Sequence, residues 1–416
     1  MGFDFECVRV ATATARTSME TRLRLVNEDE LDEYARAVTR GFGHHFDANI
    51  FGSYRTAISS GRALAAFDGG DIVGTVLSYA LELYVPGGML PATLLDSVTG
   101  QPTHRRQGVL TKMTAWSMKD FHERGEVLSC LGASESVIYG RFGYGPATLQ
   151  VDFTLERPHT KFSYFPEVGG KLRFVEKPEA SSLFPGITHR ACSERPGYLK
   201  GSEELWDLYL ADPEPSREGA SALFMVVYEE DGRPEGYVTY RIREGRVIVH
   251  ELMPATREAH AALWRYCFGI DLMHTTHATK RPLDDPLPWM LADPRRLRQS
   301  VRDDLWLRLV DVREALARRT YASEGSLVLE IRDAFCPWNE GRYLLQGGPD
   351  GADCKPTSSE PDLVLSAGDL AAGYLGAISF TNLSIAGRAE ERRKGALEVA
   401  DAMFRSSQAP WWPNEF

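Results

Sequence analysis

Residues 98–144, VTGQPTHRRQGVLTKMTAWSMKDFHERGEVLSCLGASESVIYGRFGY, admit few folds. A strand-like run ends near Gly100, a turn over 101–106 carries two arginines, and an amphipathic helix begins at Gln107. A short strand over 127–131 and a second helix start bearing Tyr139 follow. N–H groups in the first turn of a helix lack intrahelical acceptors and sit at the positive end of the helix dipole. Those of Gln107, Gly108, Val109 and Leu110 therefore suit an anion. Gly108 allows close backbone approach, and Arg105 and Arg106 add charge. This layout fits a phosphate-bearing cofactor, although an Arg-Arg turn before a helix also serves as a plain solvated helix start.

What precedes the segment gives it a sheet to stand on. Residues 21–26 read as a strand, 28–40 as a helix stopped by Gly41, and 49–59 as a second helix. Between the helices, Phe42-Gly-His-His-Phe46 is an aromatic loop of the kind that lines pockets. Strands over 62–67 and 72–83 form a hairpin about Asp68-Gly-Gly-Asp71, and 89–98 continues the meander. The helix from Gln107 is expected to bury Leu110, Met113, Thr114, Met118 and Phe121, and 147–155 to close the domain. An antiparallel meander feeding strand–helix–strand is a mixed α/β (α+β) core.

The same order recurs. Strands over 224–228, 236–242 and 247–252 repeat the hairpin and strand of 62–98, and Pro254-Ala-Thr-Arg-Glu-Ala-His-Ala-Ala-Leu263 stands where the arginine turn stood. The repeat has lost the glycine and the arginine pair, and Glu258 at its helix start repels pyrophosphate, so a duplicated domain without cofactor is expected. Residues 156–200 read as proline-punctuated linker and sheet. A third α+β segment opens with a strand at 305–312 and a helix at 313–319, adds strands at 326–331, 342–346 and 362–365, and ends with helices at 370–375 and 396–404. The expected division is a loose tail over 1–20, then domains over 21–157, 158–300 and 301–416.

Composition narrows the function classes. No apolar run is long enough to span a membrane and no secretory signal opens the chain, so a cytoplasmic location is expected. Six scattered cysteines without a C-x-x-C pair read as reduced, buried thiols. His44 and His45 point different ways with no acidic or cysteine ligand at a recognised spacing, so no metal is expected. A net charge of −11 disfavours nucleic acid and favours cationic partners, or simply keeps the protein in solution.

R-R-Q-G-V-L resembles the R/Q-x-x-G-x-G/A phosphate loop of the GNAT acetyltransferases, with Leu110 at its last small position, and Tyr139-Gly-Arg-Phe-Gly143-Tyr144 resembles the Y-x-x-x-G-F/Y ending of that domain. PTHRRQG, ASE at 133–135 and IYGRFGYGPAT at 138–148 together resemble the Eis family of actinobacterial N-acetyltransferases. The resemblance implies two tandem GNAT-like domains followed by a sterol-carrier-protein-like domain, a homohexamer, and acetyl-CoA as co-substrate without metal. The acceptor it implies is a cationic amine: an aminoglycoside, a polyamine, or the lysine of a peptide. It places Val98, Thr99, Gly100, Arg105, Arg106, Gln107, Gly108, Val109, Leu110, Thr111, Ser134 and Glu135 on the cofactor. Phe42, His44, Tyr54 and Glu415 fall at the acceptor, with His44 where aspartate is usual. Tyr139 takes the place of the general acid and the α-carboxylate of Phe416 that of the base.

An exposed α-carboxyl has a pKa of about 3.3–3.7, so as a base it requires burial or a water relay. Tyr144 reads as packing. Trp411, Trp412 and Phe416 are costly to leave in water, so the terminal segment is expected to dock. The alternative function is a non-catalytic acyl-CoA or lipid-binding sensor.

Overall fold

The computed structural model describes residues 21–46, 55–56, 58–59 and 61–414. The tail over 1–20, most of the helix expected over 49–59, Cys7, Tyr54, Glu415 and Phe416 lie outside the described residues.

The first sheet runs β1 (Arg22–Leu25), β2 (Arg62–Asp68), β3 (Asp71–Val85), β4 (Gly88–Gly100) and β5 (Leu128–Gly132), then Leu305–Leu309 and Gly145–Pro146. Successive side chains of a strand point to opposite faces. Accordingly Ala63, Ala65 and Phe67 of β2 enter one core with Tyr34 and Ala35 of helix α1 (Leu31–Gly41). Leu64 and Ala66 enter another with Met113, Met118 and Phe121 of α2 (Val109–Glu123). The apolar stripe of α2 is as expected except at its start, where Val109 is buried and Leu110 is only half-buried against that core. Helix α3 (Ser136–Tyr139) follows β5.

The second sheet has seven strands, in the order Arg298–Asp303, Leu149–Glu156, Thr275–Pro282, Arg246–Pro254, Arg233–Arg243, Phe224–Glu230 and Lys171–Phe174. Residues 147–155 therefore do not close the first domain. Val151, Phe153 and Leu155 are buried with Trp264 in the second core, because alternation fixes which face a strand buries but not which sheet receives it. In return Leu305–Leu309, expected in the third domain, enters the first sheet beside β5. The two segments form one antiparallel ribbon across both sheets, pairing Arg298 with Thr154 at one end and Leu307 with Gly145 at the other.

Residues 156–200 contain more than linker. Lys177–Cys192 is a helix despite Pro185 in its interior, burying Ala180, Phe184, Ile187, Thr188 and Cys192. Pro178 near its start is compatible with a helical first turn, and the buried face outweighs the one hydrogen bond that Pro185 removes.

The third sheet has five strands covered by Ala367–Tyr374, Phe380–Ile385 and Ala396–Phe404. The strands Gly351–Pro356 and Ala389–Glu391 and the helix Phe380–Ile385 escaped the sequence reading, each being short and without clear period. Arg319 fills the interior, its guanidinium 4.6, 5.0 and 4.8 Å from the rings of Tyr321, Tyr374 and Phe404. Trp411 and Trp412 are buried, as the docking of the terminal segment requires. No helix among the described residues is long and apolar enough to cross a membrane.

Candidate active site

Strands β4 and β5 are parallel neighbours only from Ala92 to Leu94, opposite Leu128 to Cys130. Beyond Leu94 the strands part, and β4 continues to Gly100 against β3 alone. A bulge falls in this free stretch: the β3–β4 register shifts between Thr75 and Leu77, and Ser97 has φ 49°. Thr75 Oγ1 donates to the Ser97 carbonyl at 2.8 Å and lies 2.7 Å from Thr99 Oγ1. Bulges re-aim backbone groups. Here the bulge sets Val98, Thr99 and Gly100 at the mouth of the wedge between the strands.

The arginine turn stands at the end of β4. Gln101 Nε2 donates to the Ala37 carbonyl at 2.7 Å, and His104 Nε2 lies 3.2 Å from Asp68 Oδ2, which fixes the turn to α1 and to the β2–β3 hairpin. Arg105, Arg106, Gln107, Gly108 and Thr111 are exposed, while Val109 and Leu110 root the helix. Gly108 has φ 78°, a left-handed conformation that disfavours a side chain, and a Cβ there would meet nothing within 4 Å. No side chain caps the start of α2. By contrast Ser202, Thr256, Asp311, Ser366 and Ser379 cap the helices that follow them. Thr256 marks the corresponding turn of the second domain, where its Oγ1 accepts from Ala259 N–H at 3.1 Å and closes the helix start. The open start, exposed arginines and unobstructed glycine of the first domain suit a pyrophosphate. The capped start of the second does not.

Across the wedge stands Tyr139, 7% exposed, its ring edge-on to Tyr144 with centroids 5.9 Å apart. Tyr144 is spent on packing: it is fully buried and its hydroxyl lies 2.7 Å from Ser129 Oγ. Burial, and secondarily the nearby charge of Asp96, pushes the Tyr139 phenol up to about 12. Ser134 and Glu135 are exposed on the approach from β5 to α3.

A cavity of about 710 Å³ opens on the other side of β4, between the first and second domains. Phe42 and His44 line it, together with Tyr79, Asp96, Leu208 and Glu218. Asp96 links the two sides of the site: it lines the cavity, and its charge raises Tyr34, Tyr79 and Tyr139, in each of which burial is the larger cause. Asp96, Tyr79 and Glu218 were not singled out from sequence. The available signal was an acid interrupting the apolar run LLDSV of a central strand. Among the described residues no group of His, Cys, Asp and Glu is placed to hold a metal ion.

Comparison with known proteins agrees with this architecture. Residues 22–147 and 197–313 match models of acetyltransferase (GNAT) domains, and 312–413 a sterol carrier protein domain. An uncharacterized N-acetyltransferase of Streptomyces avermitilis is 38% identical, with 96% of this chain and 100% of the relative covered. The N-acetyltransferase Eis of Mycobacterium tuberculosis is 35% identical, over 85% of this chain and 89% of the relative. The crystal structure of Eis1 from Mycobacterium abscessus superimposes with a TM-score of 0.83 at 29% identity, covering 95% of this chain and 100% of that one.

Proposed function

This chain belongs to the Eis family of N-acetyltransferases, and on that premise we propose that it transfers the acetyl group of acetyl-CoA directly to an amine of a cationic acceptor held in the cavity beside Asp96. The observation that carries the reading is the opposition of two unlike sites across one bulged strand. An open, arginine-flanked helix start lies at the end of β4, and a cavity walled by the carboxylates of Asp96 and Glu218 lies beside it.

Acetyl-CoA supplies a thioester, whose acetyl carbon the amine attacks. The backbone N–H groups of Gly108, Val109 and Leu110, with Arg105 and Arg106, hold the pyrophosphate, flanked by Gln107 and Thr111. The freed edge of β4 along Val98, Thr99 and Gly100 offers its outward-facing backbone groups to the pantetheine arm and an N–H to the acetyl oxygen, where negative charge grows. Ser134 and Glu135 border the cofactor from the far strand. Tyr139, kept protonated through the neutral range, gives its proton to the departing sulfur.

Asp96 and Glu218 attract the cationic acceptor into the cavity that Phe42 and His44 also line, and the family resemblance adds Tyr54 and Glu415 as acceptor residues. The α-carboxylate of Phe416 takes the proton of the acceptor ammonium, through water or in a buried setting that raises its pKa. The fitting acceptors are polyamines, aminoglycosides and lysine-bearing peptides, and we propose that the chain works as a homohexamer.

The test is thiol release from acetyl-CoA across a panel of those three amine classes, with neutral hydroxyl analogues alongside. Release with one cationic class supports the reading. Equal release with neutral analogues, or none with any amine while acetyl-CoA binds, contradicts it.

A further inference from the structure

The end of the third domain is seated on the second. Arg195 Nη1 donates to the Ala409 carbonyl at 2.8 Å, and Ala409 N–H to Asp284 Oδ2 at 2.9 Å. Trp411 N–H donates to the Pro196 carbonyl and its indole N–H to the Lys280 carbonyl, both at 2.8 Å. The Lys280 ammonium lies 5.2 Å from the Trp412 ring. Two residues on, Asn414 is 1% exposed, and its Nδ2 donates to Oε1 of Glu251 at 2.7 Å. Glu251, 3% exposed, lies on the strand Arg246–Pro254 of the second sheet.

This polar pair is unnecessary for anchoring. Trp411 and Trp412 already bury large apolar surfaces, whereas an acid–amide pair out of water gives little net stability. What such a pair gives is register. A slip of one residue would leave a buried carboxylate and a buried amide without partners, at the full cost of their desolvation. Register matters here because the acceptor cavity is close by. Tyr209 of the helix Glu203–Tyr209 faces Glu251, and its neighbour Leu208 lines the cavity.

We propose that Glu251 is a positioning residue for acetyl transfer: through Asn414 it fixes the register of the terminal segment next to the acceptor cavity. The second domain, whose own helix start is capped, thereby acts in the reaction as the seat of the terminal segment. The inference rests on the reading of Phe416 as the base.

Protonation bears on the clasp. Tyr237, Tyr209, Arg281 and Asn414 face the Glu251 carboxyl and favour its charge, while burial, the larger effect, raises it to about 7. Among the described residues the Cys192 thiol also senses Glu251, and burial chiefly pushes it up to about 12.

The test is a polarity swap in the full-length protein, read by kcat with acetyl-CoA and the fastest amine of the panel, and by hydrogen exchange of the peptide spanning 405–414. Asn414→Asp sets two carboxyls face to face. At pH 8 it should lower kcat by about 10-fold or more and strip protection from the peptide, with the Kd for acetyl-CoA unchanged. Recovery is expected at pH 6, where the pair retains a proton. The double variant Glu251→Gln, Asn414→Asp reverses donor and acceptor and should return kcat to within about 3-fold at pH 8.

A wild-type kcat for Asn414→Asp, or loss of protection without loss of kcat, overturns the proposal. So does failure of the double variant to rescue when it unfolds as wild type does. Deletion of Phe416 separates the two levels. If deletion leaves the rate intact, the base reading falls and takes this inference with it. If deletion abolishes turnover while Asn414→Asp does not affect it, this inference alone fails. A panel silent with every amine removes both.

Discussion

Gly143 lies against the guanidinium of Arg308: its carbonyl accepts from Arg308 Nη1 at 3.4 Å, and a Cβ at residue 143 would clash with that nitrogen. Arg308 and its partner Asp333 are both buried, so the turn carrying Tyr139 is fastened to the third domain through an ion pair. Gly143 also has φ 82°. Gly143→Ala should therefore destabilise the protein by about 1–3 kcal/mol in denaturant unfolding and lower kcat while acetyl-CoA still binds. Unchanged stability and rate would mean that the turn shifts freely.

Gly108 gives the opposite case, since a side chain there meets no protein atom within 4 Å. Gly108→Val should cost only about 1–2 kcal/mol of backbone strain but raise the Kd for acetyl-CoA by about 10-fold or more, through crowding of the anion path. Calorimetric titration with acetyl-CoA decides. An unaltered Kd would place the pyrophosphate elsewhere.

Asp96 has a double effect. Asp96→Asn should raise KM for a polycationic acceptor by about 10-fold with little change in acetyl-CoA affinity, as expected for loss of one partly desolvated charge pair. It also removes a charge that holds the Tyr139 phenol up. In the wild type the proton donor stays protonated to about pH 12, so no alkaline fall in rate below about pH 10 should come from it. In the variant that limb moves to lower pH. A pH–rate profile of both proteins checks the sign.

Glu251 links the terminal seat to stability. Burial raises its folded carboxyl to about 7, above the ordinary carboxylate value of 4.5. A raised carboxyl contributes stability that is fully present below the unfolded pKa and is lost as pH rises through the folded one. The window here is about pH 4.5 to 7, and the amount is on the order of 3 kcal/mol. Glu251→Gln should match the wild type in urea unfolding near pH 4.5 and exceed it at pH 8. Equal differences at both pH values would show that the carboxyl does not titrate in that window.

The sequence was most legible where chemistry and period coincide. The arginine turn, the strand–helix–strand about it, the duplicated hairpin and the loss of the glycine in the repeat could be read because each carries a local signature. The destination of 147–155 and of the strand at 305–309 could not, since an apolar alternation is equally at home in either sheet. The helix Lys177–Cys192 was hidden by Pro185, whose interior position is tolerated only because of what the helix packs against. Asp96 and Glu251 each read as one acid within a strand. Only the fold shows that one faces a cavity and the other a buried amide. In the third domain Arg319, Tyr321, Tyr374 and Phe404 pack together in the interior.

The most direct measurement is the single-turnover rate of acetyl transfer for Tyr139→Phe against wild type, with acetyl-CoA binding measured on the same preparations. The expected result is a rate lower by about 100-fold or more with the same acetyl-CoA Kd, because only the proton given to the departing sulfur has been removed. Equal rates would contradict the assignment of Tyr139 as proton donor and the placement of the reaction in the wedge between β4 and β5.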